Sequence, residues 1–166
     1  MLSAFEDPNP VMFFEHKALY HSITEDIYDD YYTIPIGKAK LLKEGSDLTI
    51  ITYGLGVHWA LEALNEHPEI AADLVDLRTL LPLDENAVLH SVNKTGKAII
   101  LHEDTLTGGI GGELSGILAE KCFTKLDAPI MRVASLDTPV PMSADLEHNF
   151  LPKERFKKKL LELYRY

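Results

Sequence analysis

The stretch LHEDTLTGGIGGELSGILAE, Leu101–Glu120, decides how this chain is read. An apolar run ends in His102, Glu103 and Asp104. Four glycines then fall at 108, 109, 111 and 112, and a helix-like pattern follows. Strand, glycine turn and helix is an arrangement that turns backbone amides at a helix start toward a phosphate. The spacing, however, is not that of a dinucleotide fingerprint. Gly109 and Gly111 would require a glycine at 114, where Leu114 stands. No lysine follows the last glycine as in a P-loop. Glu113 in the first helical turn suits the helix dipole and repels phosphate. The stretch reads as a packing corner. Its alternatives are an anion pocket made by the amides of Gly111 and Gly112 beside Arg78, or a contact with another chain.

Working outward, apolar runs alternate with helix-period segments. Strands are expected at Leu48–Tyr53, Ala72–Leu77, Ala98–His102 and Pro129–Val133. Between them lie helices over VHWALEALNEHP, stopped by Pro68, and over ENAVLHSVNKTG, capped by Asp84 and ended by Gly96. A third helix is expected over Gly112–Lys125. A last one follows Pro152, with Phe156, Leu160, Leu163 and Tyr164 on one face. IPIGKAKLLKEG reads as two short strands or a hairpin-like edge, and VMFF, Val11–Phe14, as a further strand. Between Glu15 and Thr33, Tyr20, Tyr28, Tyr31 and Tyr32 mix with five acids without a period, which suggests a linker over a surface. The alternation implies an α/β fold with parallel strands and helices on both faces. In such sheets ligands sit at the carboxyl ends of strands, here Tyr53-Gly54, Leu77-Arg78 and His102-Glu103-Asp104.

The bulk numbers exclude whole classes of function. A chain of 166 residues, 46% hydrophobic and 25% charged, suits one domain with a real core. A formal charge of −10 argues against binding nucleic acid or an anionic membrane surface. The single cysteine, Cys122, excludes an internal disulfide framework, fits a reducing compartment, and reads as a buried, inert thiol. No apolar run is long enough for a transmembrane helix, and the N-terminus lacks the pattern of a secretory or transit peptide.

Three further candidates have plain readings. His102, Glu103 and Asp104 look catalytic together, but neighbours on a strand face opposite ways and do not converge. Arg78 could clamp an anion, or pair with a neighbouring acid. The basic run KERFKKK is the wet face of an amphipathic helix.

Taken together, ITYG, DLRTLLPLD, HEDTLTGGIGGEL, LDAPIMRV and DTPVP, in this order, resemble the last third of the beta subunit of thiamine-diphosphate-dependent 2-oxo acid dehydrogenases. The HE pair before TGG resembles the branched-chain (2-oxoisovalerate) type. The resemblance runs from EDPNPVMFFEHKALY to the end. It implies that residues 34–166 are a transketolase C-terminal domain, a three-layer α/β/α unit with a mostly parallel five-stranded sheet. Residues 1–33 would be the tail of a pyrimidine-binding domain plus a linker. The parent would oxidatively decarboxylate a 2-oxo acid in the cytoplasm, using thiamine diphosphate and magnesium, and transfer the acyl group to lipoamide. The GDG motif, the cofactor-activating glutamate and the family's catalytic histidine have no counterpart here, so this chain is expected to hold neither catalytic residues nor coenzyme. Its expected partners are an alpha subunit or region, a second beta subunit and a dihydrolipoyl acyltransferase. The resemblance also carries two sites over. Ala4, Asp7 and Asn9 match part of a potassium shell. Asp127 and the carboxylate of Tyr166, if Tyr166 is the natural end, match acids that grip the acyltransferase.

Overall fold

The structure, a computed structural model, describes residues 1–27 and 29–166; Tyr28 lies outside them. In chain order the elements are α1 (Leu2–Glu6), a 3-10 turn (Lys17–His21), β1 (Lys40–Lys43), β2 (Leu48–Thr52), α2 (Leu55–Glu66) and β3 (Ala72–Asp76). They continue with α3 (Glu85–Thr95), β4 (Ala98–Thr105), α4 (Ile110–Lys121), a 3-10 turn (Phe123–Lys125), β5 (Met131–Ser135), α5 (Ala144–Phe150) and α6 (Lys153–Tyr164).

The five strands form one sheet in the order β1-β3-β2-β4-β5. β2, β3, β4 and β5 pair in parallel, and β1 joins the edge antiparallel to β3. The expected α/β, mostly parallel five-stranded sheet is therefore present. Alternation along each strand divides the core. Leu48, Ile50, Leu74, Ile99 and Leu101 meet Trp59 and Ala63 of α2 and Phe156, Leu160 and Leu163 of α6. Ile51, Val75, Ala98 and Ile100 meet Val88 and Val92 of α3 and Leu114 and Leu118 of α4. Burying both faces explains why these strands read as continuous apolar runs. Phe156 is fully buried, which is worth about 2–3 kcal/mol of hydrophobic stabilisation.

The helix ends follow their local chemistry. The Asp84 carboxylate accepts from the Ala87 amide at 3.3 Å and also from the Ala39 amide at 3.1 Å, so one side chain caps α3 and anchors the approach to β1. Gly96 ends α3 in the left-handed region at φ 71, where a side chain is disfavoured.

Several expectations are corrected. VMFF is not a strand: Met12, Phe13 and Phe14 are exposed, and no strand pairs with them among the described residues. A strand needs a partner to satisfy its backbone, and pattern alone does not supply one. The segment from Ile34 to Gly45 holds one strand instead of two, because Gly37 turns at φ 76 and its amide donates to Thr79 Oγ1. The third helix starts at Ile110 and stops at Lys121, with a separate 3-10 turn after it. β4 extends to Thr105, and β5 starts at Met131. The helices α1 and α5 were not foreseen. Ser143 at the N-cap position of α5 was the available signal.

Candidate functional site

At the glycine corner, the side chain of His102 packs under the first turn of α4. The Gly111 amide donates to His102 Nε2 at 3.3 Å, so the ring proton sits on Nδ1. Nδ1 is buried with no hydrogen-bond partner among the described residues. A Cβ at Gly109 would lie 2.5 Å from His102 Cε1, and one at Gly111 would lie 2.6 Å from Nε2. These two glycines are there because the imidazole fills the space a side chain would need. Burial pushes the His102 pKa below the ordinary histidine value; Asp104 opposes the shift and Arg132 adds to it. His102 is thus a neutral, enclosed wedge. Glu103 engages the linker instead, as the alternation argument expects.

The carboxyl edge of the sheet carries the polar groups. The Tyr53 phenol is pushed up by burial, then by the nearby charges of Asp104 and Glu103. Asp137 accepts from the Thr107 amide at 2.8 Å and from Thr107 Oγ1 at 2.7 Å, tying the glycine loop to the segment after β5. Those bonds hold its carboxyl below the usual range.

Arg78 lies at the end of β3 in the left-handed region, φ 57, with its Nε 3.8 Å from Asp76 Oδ2. β2 separates β3 from β4, and the contact found for the Arg78 guanidinium is with Asp76. The Gly111 amide is used by His102, and the Gly112 amide donates to the Gly109 carbonyl at 3.1 Å. Asp7 and Asn9 do come together: Asp7 Oδ1 accepts from the Asn9 amide at 2.9 Å and from its Nδ2 at 3.0 Å. Ala4 lies three residues earlier, in α1, and the Asp7 and Asn9 side chains carry oxygen donors of the kind a hard cation takes. Among the described residues no three His, Cys, Asp or Glu side chains are grouped to hold a metal.

Asp127 is exposed four residues before β5, and its amide donates to the Gly96 carbonyl at 2.8 Å. Tyr166 follows α6, whose Tyr164 hydroxyl reaches the Glu69 carbonyl just before β3. Both therefore lie at the amino end of the parallel strands, opposite the edge that carries Tyr53 and Glu103. Tyr166 borders an open cleft with Lys158, Leu161, Glu162 and Arg165. Cys122 is fully buried and its thiol is pushed up by burial, as expected for an inert residue.

Sequence reasoning missed a buried polar network. Asp73, 1% exposed, accepts from Ser91 Oγ at 2.6 Å, Lys94 Nζ at 2.7 Å and the Gly45 amide at 2.8 Å. Thr49 Oγ1 lies 2.7 Å from both Ser91 Oγ and Thr95 Oγ1. These side chains fasten β2 and β3 to α3. Asp73, flanked by apolar residues inside the buried run ADLVD, was the signal.

Comparisons with known proteins agree with this architecture. Residues 37–155 match the transketolase C-terminal domain. The chain is 45% identical over 152 residues to the 2-oxoisovalerate dehydrogenase subunit beta of Bacillus subtilis, covering 90% of this chain and 46% of the relative. It is 41% identical over 157 residues to the pyruvate dehydrogenase E1 component subunit beta of the same organism, covering 93% of this chain and 48% of the relative. Among solved structures, an inactive beta4 tetramer of a split-gene transketolase superposes with a TM-score of 0.68 at 25% identity, covering 85% of this chain and 46% of that one. The chain thus spans about half the length of the curated relatives it matches. The matched span, together with a mostly parallel sheet sandwiched between two helix pairs, places the chain in the transketolase C-terminal domain family.

Proposed function

We propose that this chain is the C-terminal assembly and docking part of a 2-oxo acid dehydrogenase beta subunit, of the 2-oxoisovalerate type. The observation that carries the reading is 45% identity across 90% of the chain to such a subunit. The parent reaction is oxidative decarboxylation of a 2-oxo acid with acyl transfer to lipoamide, in the cytoplasm. Thiamine diphosphate and magnesium supply its chemistry. None of the residues described above is assigned to them, and no catalytic step runs through this chain.

In this reading, residues 1–33 are the tail of a preceding pyrimidine-binding domain and its linker, and residues 34–166 are the C-terminal domain. Met12, Phe13 and Phe14, exposed here, would pack inside the parent. Ala4, Asp7 and Asn9 contribute part of a potassium shell completed by earlier residues. The domain contacts an alpha subunit and a second beta subunit. At the amino end of the strands, Asp127 and, where Tyr166 is the natural end, its terminal carboxylate meet basic side chains of a dihydrolipoyl acyltransferase through charge-assisted hydrogen bonds. Lys158 and Arg165 border Tyr166 as well, so the attraction there is local to the carboxylate and Glu162.

The test uses this chain and the subunit-binding domain of a branched-chain acyltransferase. Binding is expected to weaken steeply with salt, and Asp127→Lys is expected to abolish it. No turnover of 2-oxoisovalerate is expected with added thiamine diphosphate and magnesium. Steady decarboxylation by the isolated chain, or binding indifferent to both salt and Asp127→Lys, would refute the proposal.

A further inference from the structure

β4 is irregular where it leaves the sheet. Leu101 pairs with Val133 and Thr105 with Ser135, so three residues on β4, His102 to Asp104, stand opposite one on β5. Such bulges re-aim side chains at sheet ends. Here the Glu103 carbonyl accepts from Ser135 Oγ at 2.5 Å, which fixes the bulged backbone. The Glu103 carboxylate stands at the carboxyl ends of β4 and its neighbour β2. Between these two strands the sheet order reverses, the crevice where open α/β sheets bind their ligands.

At that end Glu103 meets the chain's own N-terminal segment. His16, just before the 3-10 turn at Lys17–His21, places Nε2 3.1 Å from Glu103 Oε2 and 3.3 Å from Oε1, across 87 residues of sequence. Both side chains are partly shielded, at 30% and 40% exposure. The other bonds around the turn are local: Tyr20 to Glu15, and Ser22 Oγ to the Ala18 carbonyl.

We propose that His16 and Glu103 form a clasp that straps the linker across the switch-point crevice, so that the usual ligand position of this sheet is closed by the chain's own N-terminal segment. The clasp does not depend on the 2-oxo acid dehydrogenase reading, since it concerns only contacts within this chain. It accounts for a bulge whose central residue meets the linker.

Trypsin cleavage after Lys17, followed by mass spectrometry, reports how often the strap lifts, because cleavage of a transiently opened segment tracks the open population. His16→Asn and Glu103→Gln are each expected to speed this cut about threefold, the effect of losing one partly exposed hydrogen bond between side chains. The double variant is expected to cleave no faster than either single one. The thermal midpoint should stay within a few degrees of the parent's, since His16 lies outside the core. His16→Asn alters only the strap, so the test survives even where Glu103→Gln misfolds. Parent-like cleavage in His16→Asn, or fully independent effects in the double variant, would overturn the clasp.

Discussion

The Gly111 amide and the His102 imidazole form a hydrogen bond of 3.3 Å that joins the start of α4 to the end of β4. A motif resembling a phosphate cradle is in fact a socket for a side chain of the same polypeptide. The amide that would have faced an anion is satisfied internally, and the missing side chains of Gly109 and Gly111 make room for the ring.

Glycines at this corner and along α4 consequently differ in tolerance. Gly109→Ala and Gly111→Ala would drive a methyl group to within 2.5–2.6 Å of the ring. Each is expected to destabilise by about 1–3 kcal/mol, as overpacking does. A Cβ at Gly112 would meet nothing nearer than Arg132 Nη1 at 3.7 Å, and one at Gly116 meets nothing within 4 Å. Alanine at these helical positions is expected to be neutral or to stabilise by up to about 1 kcal/mol. Urea unfolding of the four variants checks the contrast; equal losses at all four positions would contradict it.

His102 makes stability depend on pH. Its folded pKa is lowered, mainly by burial, so the unfolded chain binds a proton more readily than the folded one. The stabilising contribution is fully present above the unfolded value of about 6.5 and is lost as pH falls toward the lower folded value. Carboxylates such as Asp137, whose folded pKa is also lowered, act the same way at more acidic pH. Subtracting the profile of His102→Gln from that of the parent isolates the histidine. The difference is expected to shrink as pH drops from about 7.5 to 5.5. A difference that stays flat would mean the ring is not held neutral.

Asp73 is the most exacting polar position. Asp73→Asn removes the charge that Lys94 neutralises and weakens bonds to Ser91 and Gly45, and is expected to cost about 2–4 kcal/mol. Lys94→Met is expected to cost less, since Asp73 keeps its neutral donors. The double variant should lose clearly less than the sum of the two, because both substitutions break the same pair. Chemical denaturation of the three variants decides this, and simple additivity would show that the pair is not coupled.

How legible the fold was follows from what each signal reports. Fully buried strands such as Leu48–Thr52 announce themselves as apolar runs, and α3 is bounded by Asp84 and Gly96, whose backbone preferences are local. VMFF carried the same kind of signal and failed, because no strand pairs with it among the described residues. Arg78 sat at a plausible strand end and Gly111 and Gly112 at a plausible helix start, but the strand order, which no local pattern reveals, puts β2 between β3 and β4.

The sequence by itself determined the alternation of strands and helices, the apolar faces and the helix ends, since these depend on residues a few positions apart. The tertiary structure alone decided that His102 faces α4 while Glu103 reaches His16, and that Asp73 finds Ser91 and Lys94. Those pairs lie between 9 and 87 positions apart, and only the register of the sheet and the packing of helices on it bring them within bonding distance.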